Sequence, residues 1–215
     1  MSDKPLIHVI DDEDGVRRGA RFFLTTSGYA VRTWPSGIAF LKEVRHAETG
    51  CILLDIRMPE MDGLEVQQEL NARGVTMPVI VLTGHGDVSV AVKAMKAGAV
   101  DFLEKPFDTD ALLDAISRAF DRITAGRDHT ARTVEAGVVL GILSCREREV
   151  LERLAQGFPN KTIAFDLGIS SRTVEVHRAN IMAKLHARSL SEALRIAFAA
   201  GMGQDRMALP GAARG

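Results

Sequence analysis

The sequence predicts an α/β domain with a five-stranded, doubly wound parallel sheet, followed by an all-α domain of four helices. Three observations carry this. Between residues 6 and 124, short apolar runs alternate five times with amphipathic stretches, the pattern of a parallel sheet covered by helices on both faces. From Ser144 onward the apolar spacing is helical throughout. Charge is also unevenly divided. Residues 1–124 hold 14 Lys and Arg against 19 Asp and Glu, a net of −5, whereas residues 141–200 hold 9 against 6, a net of +3. An acidic front and a mildly basic back indicate two domains with different partners.

The elements follow in order. Leu6–Ile10 is an apolar run that ends in Asp11, Asp12, Glu13 and Asp14. Residues 15–28 read as an amphipathic helix with Val16, Ala20, Phe23 and Leu24 on one face, closed by Gly28. "YAVRTW" is a second strand and "SGIAFLKEVR" a second helix. Cys51–Leu54 is a third strand that stops at a single carboxylate, Asp55, before Arg57, Met58 and Pro59 lead the chain away. "GLEVQQELNARG" is a third helix and "MPVIVLT" a fourth strand ending at Thr83. "VSVAVKAMKAG" is a fourth helix, "AVDFLEKPF" a fifth strand ending at Lys105, and "DTDALLDAISRAFDRI" a fifth helix capped by Asp108.

Right-handed crossovers gather all strand carboxyl ends at one edge, where open α/β sheets bind ligands. Asp11 and Asp12, Asp55, Thr83 and Lys105 meet there. Taken alone, Asp55 could simply cap a turn. Acids at several strand ends with one hydroxyl and one ammonium make a reactive crevice the better reading. Glu13 and Asp14 fit the bias of helix N-termini towards acids, and His85 reads as an exposed loop residue that could instead tune the site.

Composition excludes other classes. The 215 residues are 46% hydrophobic and 26% charged, as in globular proteins. No run of eighteen apolar residues marks a membrane span, and the N-terminus has no secretory pattern. Cys51 and Cys145 lie far apart, which fits a reducing cytoplasm. No Cys/His cluster has zinc spacing.

These motifs resemble a known pattern. "DD" after the first strand, "LLDIRMP" around Asp55, "LTGHGD" at Thr83 and "FLEKPF" at Lys105–Pro106, spaced 28 and 22 residues apart, make residues 1–124 similar to a bacterial response-regulator receiver domain. The resemblance implies that a partner sensor histidine kinase phosphorylates Asp55. It also implies Mg²⁺ held by Asp12, Asp55 and the Arg57 carbonyl, with Asp11 acting through water. That chemistry is sound. A carboxylate can attack phosphorus, the hard cation prefers oxygen ligands, and metal and Lys105 offset charge on the transferring group. Thr83 would bond a phosphoryl oxygen, and Phe102 would fill the space Thr83 vacates. By the same resemblance the Lys105–Pro106 bond is cis. The face carrying Val90, Val92, Lys96 and Asp101 would then form a homodimer on phosphorylation.

Residues 125–141 read as a linker, helical or flexible. In the second domain Ser144 and Glu147 form a capping box. Val150, Leu151, Leu154 and Ala155 face inward. A short helix capped by Asn160 and ended by Gly168 precedes a longer polar helix from Ser171 to Lys184, a helix-turn-helix candidate. A fourth helix turns Leu190, Ala193, Leu194 and Ala197 inward. "LSCREREVL…NKTIAFDLGISSRTVEVHRANIMAKL" resembles the LuxR-type DNA-binding domain, here residues 142–203, and the whole chain is similar to FixJ-like response regulators. The longer helix would enter the major groove of double-stranded promoter DNA. Its outward residues are Arg172, Thr173, Glu175, Val176, Ala179 and Asn180. Glu175, Val176 and Ala179 would read bases, and Lys161, Arg172, Arg178 and Lys184 would meet phosphates. His177 would pack against the bundle, and Phe165 would be core or would alter helix packing. Residues 204–215 read as a disordered tail.

The implied function is a cytoplasmic, non-enzymatic transcription regulator that recruits RNA polymerase. FixJ-like relatives imply oxygen or nitrogen-fixation circuits, with aromatic-compound catabolism as the alternative. A phosphatase or phosphotransferase would need a second catalytic acid beside Asp55, where Arg57 stands. An adaptor that never meets DNA is the other rival.

Overall fold

The structure, a computed structural model, describes residues 4–84, 88–124 and 140–203. His85, most of the expected linker and the expected tail lie outside these residues. Strands β1 (Leu6–Ile10), β2 (Ala30–Trp34), β3 (Cys51–Asp55), β4 (Val79–Thr83) and β5 (Asp101–Glu104) alternate with helices α1 (Asp14–Thr26), α2 (Gly37–Glu43), α3 (Gly63–Ala72), α4 (Val88–Lys96) and α5 (Thr109–Thr124). The strands pair in parallel in the order β2-β1-β3-β4-β5. This is the doubly wound sheet that the alternation predicts.

Burial explains the near-continuous apolar strands. Every residue of β1, β3 and β4 is buried, as strands covered on both faces require. Ile7, Val9, Leu53, Ile80, Leu82 and Leu103 pack with Leu24 of α1 and Leu112 and Ile116 of α5. Elsewhere in the unit, α2 and α3 approach so closely that a Cβ on Gly37 would lie 2.1 Å from Cγ2 of Val66. Gln67 of α3 donates to the Ala94 carbonyl of α4 at 3.0 Å.

The chain divides into two compact units between residues 132 and 133. Among the described residues, the second unit begins with a 3₁₀ turn, Leu140–Ile142, in which Leu140 is buried. Helices α6 (Cys145–Ala155), α7 (Asn160–Leu167), α8 (Ser171–Lys184) and α9 (Leu190–Ala199) follow. Their buried residues include Val150, Leu151, Leu154, Ile163, Val174, Ile181, Ala193 and Leu194. The Ser144–Glu147 capping box is present. Gly168, at φ +64°, turns α7 into α8, whose N-terminus is capped by Ser170. Asn160 is not the cap of α7. Pro159 holds that position, and the Asn160 side chain accepts from Arg178 at 3.0 Å instead.

Candidate functional site

The carboxyl edge of the sheet assembles from the ends of four neighbouring strands. Asp11 follows β1, Asp55 ends β3, Thr83 ends β4 and Lys105 follows β5. Register sets their depth, because Ile10 pairs with Leu54 and Thr83 with Glu104. Lys105 Nζ donates to Asp55 Oδ1 at 2.6 Å and to Asp11 Oδ2 at 3.1 Å. Both carboxylates are buried, whereas the Asp12 side chain is exposed at the rim.

The electrostatics follow from that geometry. Burial raises the Asp55 carboxyl above its ordinary range, and the hydrogen bond from Lys105 only partly offsets it. Burial alone would lower Lys105, but its bonds to Asp55 and Asp11 outweigh that and raise it. Two acids thus share one ammonium in a poorly solvated crevice, where further positive charge is favourable.

The backbone around the site is tight. The loop after β3 returns so that Gly63 N donates to the Ile56 carbonyl at 3.0 Å. A Cβ on Gly63 would lie 2.3 Å from the Asp55 carbonyl oxygen. Arg57 is exposed, and its guanidinium lies against Gly84. Thr83 is buried and its Oγ1 donates to the Gly84 carbonyl at 3.2 Å. Phe102 is half-buried on β5, and the Lys105–Pro106 peptide is cis. Sequence reading missed Arg17, whose Nη1 donates to the carbonyls of Asp11 and Asp12, each at 2.8 Å. Its only sequence signal was the Asp14–Arg17 spacing, which the structure realises as an ion pair.

Of the expected dimer face, Val92 is 2% exposed and Asp101 is fully buried in this structure. Val92 turns into the core from α4, and Asp101 is held by Arg118 of α5 and by the Phe102 amide. Val90 is half-buried and Lys96 exposed.

On the helical unit, Arg172, Glu175, Val176, Ala179 and Asn180 are exposed along α8, and Lys161 is exposed on α7. Thr173 is half-buried beside the Ser170 cap. Of the expected phosphate contacts, Lys184 is paired with the buried Glu147 at 2.7 Å, and Arg178 donates to Asn160. Glu147 also accepts from the Ser144 amide. The Lys184 bond first, then the Ser144 bond, hold its carboxyl down to about 2. His177 is half-buried. Phe165, expected to be core or to alter helix packing, is 87% exposed.

An acid pair bridged by lysine at a parallel sheet's edge, in one chain with a helix-turn-helix, matches known proteins in both halves. Residues 7–117 match the response regulator receiver domain family, and residues 141–197 match the bacterial regulatory proteins of the luxR family. The chain is 53% identical to transcriptional regulatory protein FixJ of Azorhizobium caulinodans, over 98% of this chain and 100% of that one.

This chain is a FixJ-like response regulator.

Other relatives of the regulator carry different names. Response regulator protein TodT of Pseudomonas putida is 41% identical, over 91% of this chain and 87% of its own. The crystal structure of full-length FixJ from B. japonicum matches with a TM-score of 0.57 at 42% identity, covering 93% of this chain and 98% of that one. The FixJ-like regulator is therefore a two-component protein with a LuxR-type DNA-binding domain, and a sensor histidine kinase is its implied partner. No helix among its described residues is long and apolar enough to cross a membrane.

Receiver domains generally bind Mg²⁺ at the acidic phosphorylation site, and the donors here fit that ion. Asp11 and Asp55 offer buried carboxylates short of positive charge, and Asp12 adds an exposed one next to them. Mg²⁺ is content with one or two carboxylates and several waters. Among the described residues no group of three or more His, Cys, Asp or Glu is gathered that could by itself hold a metal.

Proposed function

We propose that Asp55 takes a phosphoryl group from a histidine of the sensor kinase, and that this controls promoter binding by α8. The observation that carries the reading is Lys105 bridging Asp55 and Asp11. A carboxylate oxygen of Asp55 attacks phosphorus, the P–N bond to the kinase histidine breaks, and its electron pair stays on the imidazole nitrogen. Lys105 holds positive charge against the transferring oxygens. The Thr83 hydroxyl, leaving the Gly84 carbonyl, donates to the new phosphoryl group, and Phe102 follows it inward. Asp12, Asp55 and the Arg57 carbonyl, with Asp11 through water, would hold Mg²⁺, which when bound would supply charge neutralisation at the phosphoryl oxygens.

Phosphorylation promotes a homodimer through exposed parts of α4, Lys96 among them. The dimer places two α8 helices on a two-fold site in the cytoplasm and engages RNA polymerase. Full conversion from off to on demands about 5.5 kcal/mol of differential stabilisation. Exposed Arg172, Glu175, Val176, Ala179 and Asn180 support base and phosphate contact. The FixJ relatives support an oxygen or nitrogen-fixation circuit, with aromatic-compound catabolism as the alternative. Gel shifts with and without acetyl phosphate and magnesium test the proposal. Tighter binding of the treated protein is expected, with Asp55→Asn unresponsive. Equal binding in both states overturns it.

A further inference from the structure

Arg17 reaches back from α1 to the loop that carries Asp11 and Asp12. Its Nη1 spends both N–H groups there, one on the Asp11 carbonyl and one on the Asp12 carbonyl, each at 2.8 Å. Its Nη2 meets Asp14 at 3.2 Å, and only 15% of the side chain is exposed. A carbonyl that is held fixes the plane of its peptide, because the peptide bond does not twist. The Asp11 carbonyl belongs to the peptide before Asp12, and the Asp12 carbonyl to the peptide after it. Both peptides flanking Asp12 are therefore held by one guanidinium.

The other bonds of the loop engage Asp11. Its amide donates to the Trp34 carbonyl at 3.3 Å. Its Oδ1 accepts from the Glu13 amide at 2.8 Å, a second hold on the peptide after Asp12, and its Oδ2 accepts from Lys105 at 3.1 Å. Asp11 is thus buried with both carboxylate oxygens occupied, whereas the Asp12 carboxylate is exposed at the rim. Asp12 is the acid open to an arriving cation, and the direction in which it leaves the backbone is set by the peptides that Arg17 holds. A ligand ordered beforehand spares the ion the entropy cost of ordering it.

We propose that Arg17 is a positioning residue for the cation site, holding the loop so that Asp12 is presented to the metal. The proposal rests on the reading that this edge binds Mg²⁺. Charge and geometry make opposite predictions here. A guanidinium near a cation repels it, so a role through charge alone means that removing Arg17 tightens metal binding. A positioning role means that removing it weakens metal binding, by about tenfold on the scale of outer groups that orient metal ligands.

The test uses the full chain with Mn²⁺ alone, followed by electron paramagnetic resonance, and then the rate of Asp55 labelling by acetyl phosphate across a magnesium series. Arg17→Ala binds Mn²⁺ about tenfold more weakly than wild type. The magnesium concentration that gives half the maximal labelling rate rises by the same factor, with the plateau little changed, because saturating metal orders the loop. Arg73→Ala is the control for general destabilisation. Arg73 caps the end of α3 away from Gly63 and makes the same kind of bond, to the Leu41 carbonyl at 2.7 Å. That variant keeps wild-type Mn²⁺ affinity and half-saturation. Equal or tighter Mn²⁺ binding in Arg17→Ala, a lower plateau at unchanged half-saturation, or the same weakening in Arg73→Ala overturns the proposal. A wild-type chain that takes up no Mn²⁺ overturns the metal reading as well.

Discussion

Lys105 Nζ lies 2.6 Å from Asp55 Oδ1, joining residues fifty positions apart at the carboxyl edge of one sheet. The same nitrogen reaches Asp11. One flexible cation thus holds two buried carboxylates together, and its position depends on the register of β3, β4 and β5.

Lys105→Ala removes that cation. Labelling of the chain by acetyl phosphate in magnesium slows by about 100-fold, the scale of losing one charged donor at a reacting group. Rapid-quench labelling checks this, with circular dichroism to verify the fold. An unchanged rate would place Lys105 outside the chemistry.

Gly63→Ala forces a methyl group against the Asp55 carbonyl oxygen, 2.3 Å from the ideal Cβ position. The nearest atoms are backbone atoms of Asp55 and Ile56, which cannot rotate away as a side chain would. Urea melts of the variant show a loss of about 1–3 kcal/mol, with a further drop in labelling as Asp55 shifts. A stability equal to wild type would mean that the loop after β3 has room to move.

Glu147 titrates at about 2 in the folded chain against an ordinary 4.5. The unfolded chain therefore binds that proton more readily. The ionised group adds stability that is complete above about pH 4.5 and is lost as the pH falls towards 2. Glu147→Gln lowers the melting temperature at pH 7, and the gap to wild type narrows below pH 4.5. A gap constant across the acid range would show that the Lys184 pair contributes nothing.

Lys161 and Lys184 separate in a salt titration of DNA binding. Lys161→Ala reduces the slope of log K against log salt by about 0.9. Lys184→Ala leaves the slope alone and lowers thermal stability, because its ammonium is engaged by Glu147. A reduced slope for Lys184→Ala would return it to the DNA contacts.

The sheet, its element order and the strand ends that carry Asp11, Asp55, Thr83 and Lys105 were legible in the sequence, because apolar period and strand ends are local signals. Contacts between distant elements were not. His8 sits fully buried in an apolar strand because Trp34 Nε1 donates to its Nδ1 and its Nε2 donates to the Glu48 carbonyl, forty positions on. Asp101 looked like a surface acid because Arg118, which holds it, comes from the next helix. Lys184 looked free for the same reason, since Glu147 lies on another helix. Phe165 defeated the apolar-inside rule outright, as a residue turned to solvent has no periodicity to betray it.

Mass spectrometry after incubation with a competent phosphoryl donor and Mg²⁺ bears most directly on the central claim. One phosphoryl adduct on the peptide containing Asp55, absent from Asp55→Asn, is the predicted result. No adduct, or an adduct on another residue with Asp55 unmodified, would contradict it.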